Sequence, residues 1–267
     1  MERTPTIQCT SIQRKVTLMN KMLLPTSGIL SVGMLCAQTV FAGPADYVYT
    51  PTVEYGEREL DIKFGSAASD GGTRPQVTSI GFGYGATEYW FTEVYLKQKL
   101  NSSENITLAE WENKFLLTET GKYPLDIGLI TEMEAPISGS APWEIKFGPL
   151  FQTEFGKFQL NGNILFERAF DKADEHGVAF VTNIGYQWQA KYRWQPVFEF
   201  GMQGMGEMGK WNDWDKQSDQ NHRVGPAVFG KFALGNRQAV KYNAAWLLGA
   251  SNAAPDQTFR MQVEYEF

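Results

Sequence analysis

The chain of 267 residues is 43% hydrophobic, 14% aromatic and 20% charged, with 26 glycines, a composition too rich in apolar and aromatic residues for disorder. Its formal net charge of -6 is the wrong sign for a nucleic-acid binder, which presents a basic face. Outside residues 22–42 no stretch reaches the ~20 apolar residues of a membrane-spanning helix, which leaves a secreted or envelope protein rich in strands.

Residues 1–42 read as a targeting segment. Arg14, Lys15 and Lys21 precede an apolar run that ends in Val40-Phe41-Ala42 and is followed by Gly43-Pro44, the layout of a secretory signal peptide. Met19 is the expected start, because the residues after it already supply a basic region and an apolar core. Cys36 follows Gly33-Met34-Leu35 and lacks the small preceding residue of a lipid-attachment box. Both cysteines, Cys9 and Cys36, fall in this segment, so the mature chain is expected to use neither disulfides nor thiol chemistry. Losing Arg3, Arg14, Lys15 and Lys21 against Glu2 makes that mature chain more acidic still.

Residues 43–57 follow. The stretch from Asp46 to Tyr55 is extended in pattern, but Gly56 breaks the parity before Glu59. It is expected to be a periplasmic lead or partial plug, ahead of a barrel formed by residues 58–267.

From residue 58 onward, segments of about ten residues alternate apolar and polar side chains at the period of a strand with two different faces. Their apolar faces carry Leu60, Ile62 and Phe64; Ile80, Phe82 and Tyr84; Trp90, Val94 and Leu96; Trp111, Phe115 and Leu117; Leu125, Ile127, Leu129 and Met133; and Trp143, Ile145, Phe147, Phe151 and Phe155. They continue with Phe158, Leu160, Ile164 and Phe166; Val178, Phe180, Ile184, Tyr186 and Trp188; Tyr192, Trp194, Phe198, Phe200 and Met202; Val224, Val228 and Phe232; Val240, Tyr242, Trp246 and Leu248; and Phe259, Met261, Val263, Tyr265 and Phe267. That makes twelve segments. Short links at residues 85–88, 156–157, 189–191 and 233–237 alternate with longer ones at 68–75, 98–105, 171–177 and 205–221, and aromatics gather beside the short ones. Both features are those of a transmembrane barrel with short periplasmic turns and an interfacial aromatic girdle. Pro149, Pro196 and Pro226 predict bulges or strand ends, and Asn113 and Arg168 fall on the lipid-facing parity.

The chain ends in Arg260-Met261-Gln262-Val263-Glu264-Tyr265-Glu266-Phe267. This alternating strand with its terminal aromatic resembles the closing strand of Gram-negative outer-membrane β-barrel proteins, and by strand count the twelve-stranded specific porins are nearest. The resemblance implies an all-β, up-and-down antiparallel barrel in the bacterial outer membrane. It also implies contact with lipid and lipopolysaccharide, and recognition of Tyr265 and Phe267 by the barrel-assembly machinery.

With apolar faces toward lipid, the alternate residues line the interior. The pore-lining candidates are Glu93, Lys97, Asp126, Glu132, Glu144, Lys146, Glu154, Glu167, Arg193, Glu199, Arg223, Lys231, Lys241, Arg260 and Glu264. The same parity carries Glu59, Asp61, Lys63, Glu110, Glu112, Lys114 and Glu266. Acids outnumber bases, so the expected function is passive passage of small hydrophilic solutes, cation-leaning or neutral. The alternative is a non-conducting structural or adhesive barrel held together by inward ion pairs. The outer segment with Glu207, Trp211, Asp213, Trp214, Asp215 and Asp219 has several oxygen ligands but lacks the glycine and terminal glutamate of a calcium loop. His176 and His222, with Ser218 or Ser251, form no recognisable nucleophile motif, and two histidines without cysteines make no complete zinc site. No enzyme activity, cofactor or metal is expected.

Overall fold

The computed structural model describes residues 43–68, 74–101, 105–170 and 181–267; the expected signal peptide, Val178, Phe180 and His176 lie outside them. The described residues form β1 (Arg58–Ala68), β2 (Gln76–Gly85), β3 (Trp90–Leu100), β4 (Asn105–Leu116), β5 (Asp126–Ser138), β6 (Trp143–Phe155), β7 (Phe158–Phe170), β8 (Thr182–Gln195), β9 (Phe198–Lys210), the two-residue β10 (Asp213–Trp214), β11 (Asn221–Gly235), β12 (Gln238–Gly249) and β13 (Gln257–Glu266). β10 only folds back on the end of β9. The other twelve each pair antiparallel with both neighbours, and β13 returns to β1, so the sheet closes.

Closure runs through ten residue pairs, from Glu59 opposite Glu266 to Ala68 opposite Gln257. The Phe267 N–H donates to the Arg58 carbonyl at 2.9 Å beyond the last pair. Among the described residues no strand edge is left to meet hydrocarbon, where each unpaired group costs several kcal/mol. Alternation then sorts the side chains. Ile62, Ile80 and Leu248 on the exterior are half exposed, whereas Asp61, Glu93 and Glu112 on the interior are at most 2% exposed. An apolar exterior around a polar interior is inside-out for water and right for a bilayer.

The turn end carries the aromatic girdle. Phe155 and Phe158 stack at 5.6 Å, Phe158 meets Tyr192 at 5.1 Å, Phe232 stacks on Tyr242 at 5.8 Å, and Tyr265 on Phe267 at 5.5 Å. One of the two-residue turns there, between β11 and β12, puts Asn236 and Arg237 at φ 49° and 65°, a left-handed pair that suits a two-residue hairpin.

Three details depart from the sequence reading. Residues 189–191 are not a turn: β8 runs through them to Gln195, and the chain reverses at Pro196-Val197, where proline's missing donor interrupts no ladder. Trp188 therefore lies within β8, over Gly204, and not in the girdle. Residues 117–125 make one long connection at the turn end, so the alternation of lengths is not strict. Finally, Pro149 and Pro226 sit in continuous strands without a register shift. Each follows a glycine, and the pairing simply lapses across Gly148-Pro149 toward β7 and across Gly225-Pro226 toward β12.

Asn113 and Arg168 do face outward. The Asn113 side chain accepts from the Trp90 indole N–H at 3.0 Å and lies in an exterior groove of about 400 Å3 with Trp111, Phe115 and Met133. Arg168, near the loop end, donates to the Thr182 hydroxyl at 2.7 Å.

The Gly-Pro steps have a testable consequence. A Cβ on Gly148 would run into the Ile164 carbonyl and one on Gly225 into the Trp246 carbonyl, both backbone atoms that cannot step aside, whereas a Cβ on Gly162 meets open space. Gly148→Val or Gly225→Val is expected to cost at least ~2–3 kcal/mol of overpacking and to reduce heat-modifiable, folded protein on a gel several-fold. Gly162→Ala should match the parent.

Candidate functional site in the barrel lumen

All the sequence-derived pore-lining candidates lie on the inward parity, at different heights. On the β1–β5 wall, Lys97 pairs with Glu110 and, at 2.7 Å, with Glu134; Lys99 reaches Glu134 at 2.7 Å. Lys146 of β6 lies 3.0 Å from Glu132 and 3.7 Å from Glu167. Glu144 joins Glu132, Glu134, Lys146 and Glu167 around a cavity of about 20 Å3, room for about one water. Glu93 stands directly opposite Glu112.

Nearer the turn end, Lys241 pairs with Glu266 and lies 3.6 Å from Glu264, while Lys231 reaches Glu266 at 2.8 Å. Lys191 meets Glu199 at 3.0 Å, and Arg193 holds Glu154 at the partly exposed mouth. Arg223 lies 4.0 Å from Glu207. Asp126 is turned to a structural task, accepting the Gly121 N–H at 2.8 Å across the β4–β5 connection. Arg260 donates to the Asn243 side chain and, at 2.6 Å, to the Asp46 carbonyl.

Between its ion pairs, the β6–β9 wall also carries a cluster of neutral amides that a search for charged residues passes over. Gln159 donates to Gln152 at 3.0 Å and to Asn161 at 2.9 Å; Asn161 donates to Gln152 at 2.8 Å; Gln203 donates to Gln189 at 2.7 Å. Asn163 donates to Gln187 at 3.1 Å. Lys99 and Lys191 escape the sequence reading because they fall in the expected links 98–105 and 189–191, and Glu134 because it lies one residue beyond Met133, the last apolar position read in its segment. The signal for all of them was the inward parity itself, read to the true strand ends.

Residues 43–57 occupy the space between these walls. They are extended, so successive side chains face opposite sides. The Tyr47 hydroxyl donates to the Glu112 carboxylate at 2.9 Å, with the Lys63 ammonium 3.7 Å from the ring centre. The Tyr49 hydroxyl donates to Glu132, and its ring packs with Ile130, Leu150 and Leu165. Val48 points the other way, into Met205, Ala227, Phe229, Ala245 and Leu247. The Tyr49 N–H donates to the Gln187 side chain at 3.4 Å and its carbonyl accepts from Asn163 at 3.1 Å. Side chains, not a fourteenth strand, hold residues 44–51; among the described residues the backbone pairs with that of the wall only at Gly56 and Glu57, which meet Gly85.

The other chemistries lack geometry. The Ser251 hydroxyl donates to the Gln220 carbonyl at 2.6 Å and accepts the His222 backbone N–H. The His222 ring instead bonds Tyr186 and Gln220, at 3.0 and 2.8 Å, so among the described residues no serine–imidazole pair forms. Ser218 donates to Asp219 at 2.9 Å. Asp213, Asp215 and Asp219 form no convergent metal group among the described residues; partial burial, with Asp219 and Asp213 beside it, lifts the Asp215 carboxyl above its ordinary value. Glu110, Glu112 and Glu132 do converge, but lysines and the two tyrosine hydroxyls already engage them.

No family model matches the chain, and no curated protein matches it. Solved structures do. The NanC porin superposes with a TM-score of 0.53 at 11% identity, covering 78% of this chain and 98% of its own. An outer membrane channel from Pseudomonas putida superposes with a TM-score of 0.55 at 15% identity, covering 85% of this chain and 99% of its own. The fold is thus that of outer-membrane β-barrel channels, and the apolar belt outside it is built for a membrane.

Proposed function

We propose that this protein is an outer-membrane channel for passive passage of small hydrophilic solutes, cation-leaning or neutral, whose lumen is closed at rest by residues 43–57. The observation that carries this reading is the content of the lumen. A polar-walled barrel is filled by a segment whose residues 44–51 are held by side-chain contacts, with Val48 on one apolar wall and Tyr47 and Tyr49 on the other. Such a plug can leave without breaking the sheet. The excess of inward acids over inward bases supports the cation lean. The resemblance to a porin and an outer membrane channel supports the channel class. The dense inward ion pairing favours the second reading, a non-conducting structural barrel.

The plug is tested by Val48→Asp. A carboxylate placed among Met205, Ala227, Phe229, Ala245 and Leu247 is desolvated at a cost of several kcal/mol, enough to expel the segment. In planar bilayers the variant is expected to conduct at least tenfold more often than the parent, with permeability for potassium at or above that for chloride. Silence of parent and variant at all voltages would favour the structural reading, and anion preference would contradict the charge balance.

Tyr265 and Phe267 are proposed as the assembly signal, with the turn end in the periplasm and the loop end, including Arg168, toward lipopolysaccharide. Phe267 rests at the exterior boundary, 41% exposed. Phe267→Asp is expected to lower membrane-embedded, heat-modifiable protein several-fold while export across the inner membrane continues. Unchanged levels of assembled protein would remove the signal.

A further inference from the structure

The lumen contacts the plug in a way that a simple stopper does not require. The wall reads the plug's backbone. Gln187 and Asn163, themselves 3.1 Å apart, take the N–H and the C=O of Tyr49 between them, and Arg260 takes the C=O of Asp46. Two glycines on the wall make room for main chain, since a Cβ on Gly65 would strike the Pro44 carbonyl and one on Gly85 the Glu54 carbonyl, and Gly128 makes room for the Pro51 ring. Side chains are read at alternate positions, aromatic toward β4–β7 and aliphatic toward β9–β12. Main-chain hydrogen bonds that give affinity, with pockets at alternate side chains that give selectivity, are the physics of extended-peptide recognition.

We propose that the lumen is a peptide-binding site, occupied in cis by residues 44–51, and that short extended peptides with an aromatic–aliphatic–aromatic pattern compete for it in trans. The site stands on this geometry alone; that such peptides are the solutes admitted rests on the channel reading. The cis segment competes at the effective concentration set by its tether, in the millimolar range for short linkers. A free peptide must therefore bind poorly to the parent and well once the segment is expelled.

The test uses the full-length chain carrying Val48→Asp, with exposure of residues 43–57 verified by protease cleavage. Tyr49→Asp is a second full-length variant that expels the segment from the opposite wall. The probe is the capped heptapeptide Ala-Asp-Tyr-Val-Tyr-Thr-Pro, followed by calorimetry and by block of conductance. Binding to either expelled variant is expected to be at least tenfold tighter than to the parent. Scrambling the peptide, methylating its second tyrosine N–H, or adding Asn163→Leu to the protein should each weaken it about tenfold or more. Equal binding of the scrambled peptide, or none to an expelled variant, would overturn the proposal. Peptide binding without any conductance would keep the site and remove the channel reading; conductance without peptide binding would do the reverse.

Discussion

The structure depends on one constraint: in hydrocarbon every backbone N–H and C=O needs a partner within the protein. A twelve-stranded sheet meets it only by closing on itself, which β13 does against β1 over ten pairs. Closure also fixes what lies inside. A ring of this many strands encloses more space than inward side chains bridge unaided, so the interior holds either water or additional chain. Here it holds residues 43–57. The walls around them carry ion-pair networks, densest on β1–β5, together with an amide cluster on β6–β9 and an apolar cluster on β9–β12.

Pairing accounts for the burial of so many ionisable side chains together. Lys97 lies between Glu110 and Glu134, Lys146 between Glu132 and Glu167, and Lys241 between Glu264 and Glu266. A buried ion pair roughly offsets its own desolvation, whereas breaking one leaves an uncompensated charge at a cost of ~3–5 kcal/mol. The network therefore fixes the geometry of the wall more than it adds to stability. Residues 43–57 are different. Two tyrosine hydroxyls, one valine and the Gln187, Asn163 and Arg260 side chains on the backbone are separable contacts, and their loss leaves every strand pair intact.

Much of this was legible in the sequence because the period of a strand is two. Once lipid was assigned to the apolar face, residues as distant as Glu93 and Arg260 fell on the inward parity without knowledge of neighbours. The strand ends were harder to read. Tyr192 and Trp194 look like the start of a new strand, yet Lys191 and Arg193 continue the inward row of β8, and only Pro196 stops it. Gly148-Pro149 and Gly225-Pro226 read as breaks, because a sequence does not show that a glycine lets the neighbouring carbonyl approach while the proline gives up a single ladder bond. The amide wall went unread because Gln and Asn carry no charge to count. Residues 46–55 were visible as an extended stretch of broken parity, but the partners of Tyr47, Val48 and Tyr49 on both walls come from tertiary structure alone.

The account's central claim is that residues 43–57 close the lumen from within. It is tested most directly by tethering Val48→Cys to Ala245→Cys, two members of one buried cluster, in a background where Cys9 and Cys36 are replaced by serine. With the disulfide formed, single-channel recordings should show no openings, and reduction on the same bilayer should restore them. Full conductance with the tether intact, or failure of the two thiols to pair in folded protein, would contradict it.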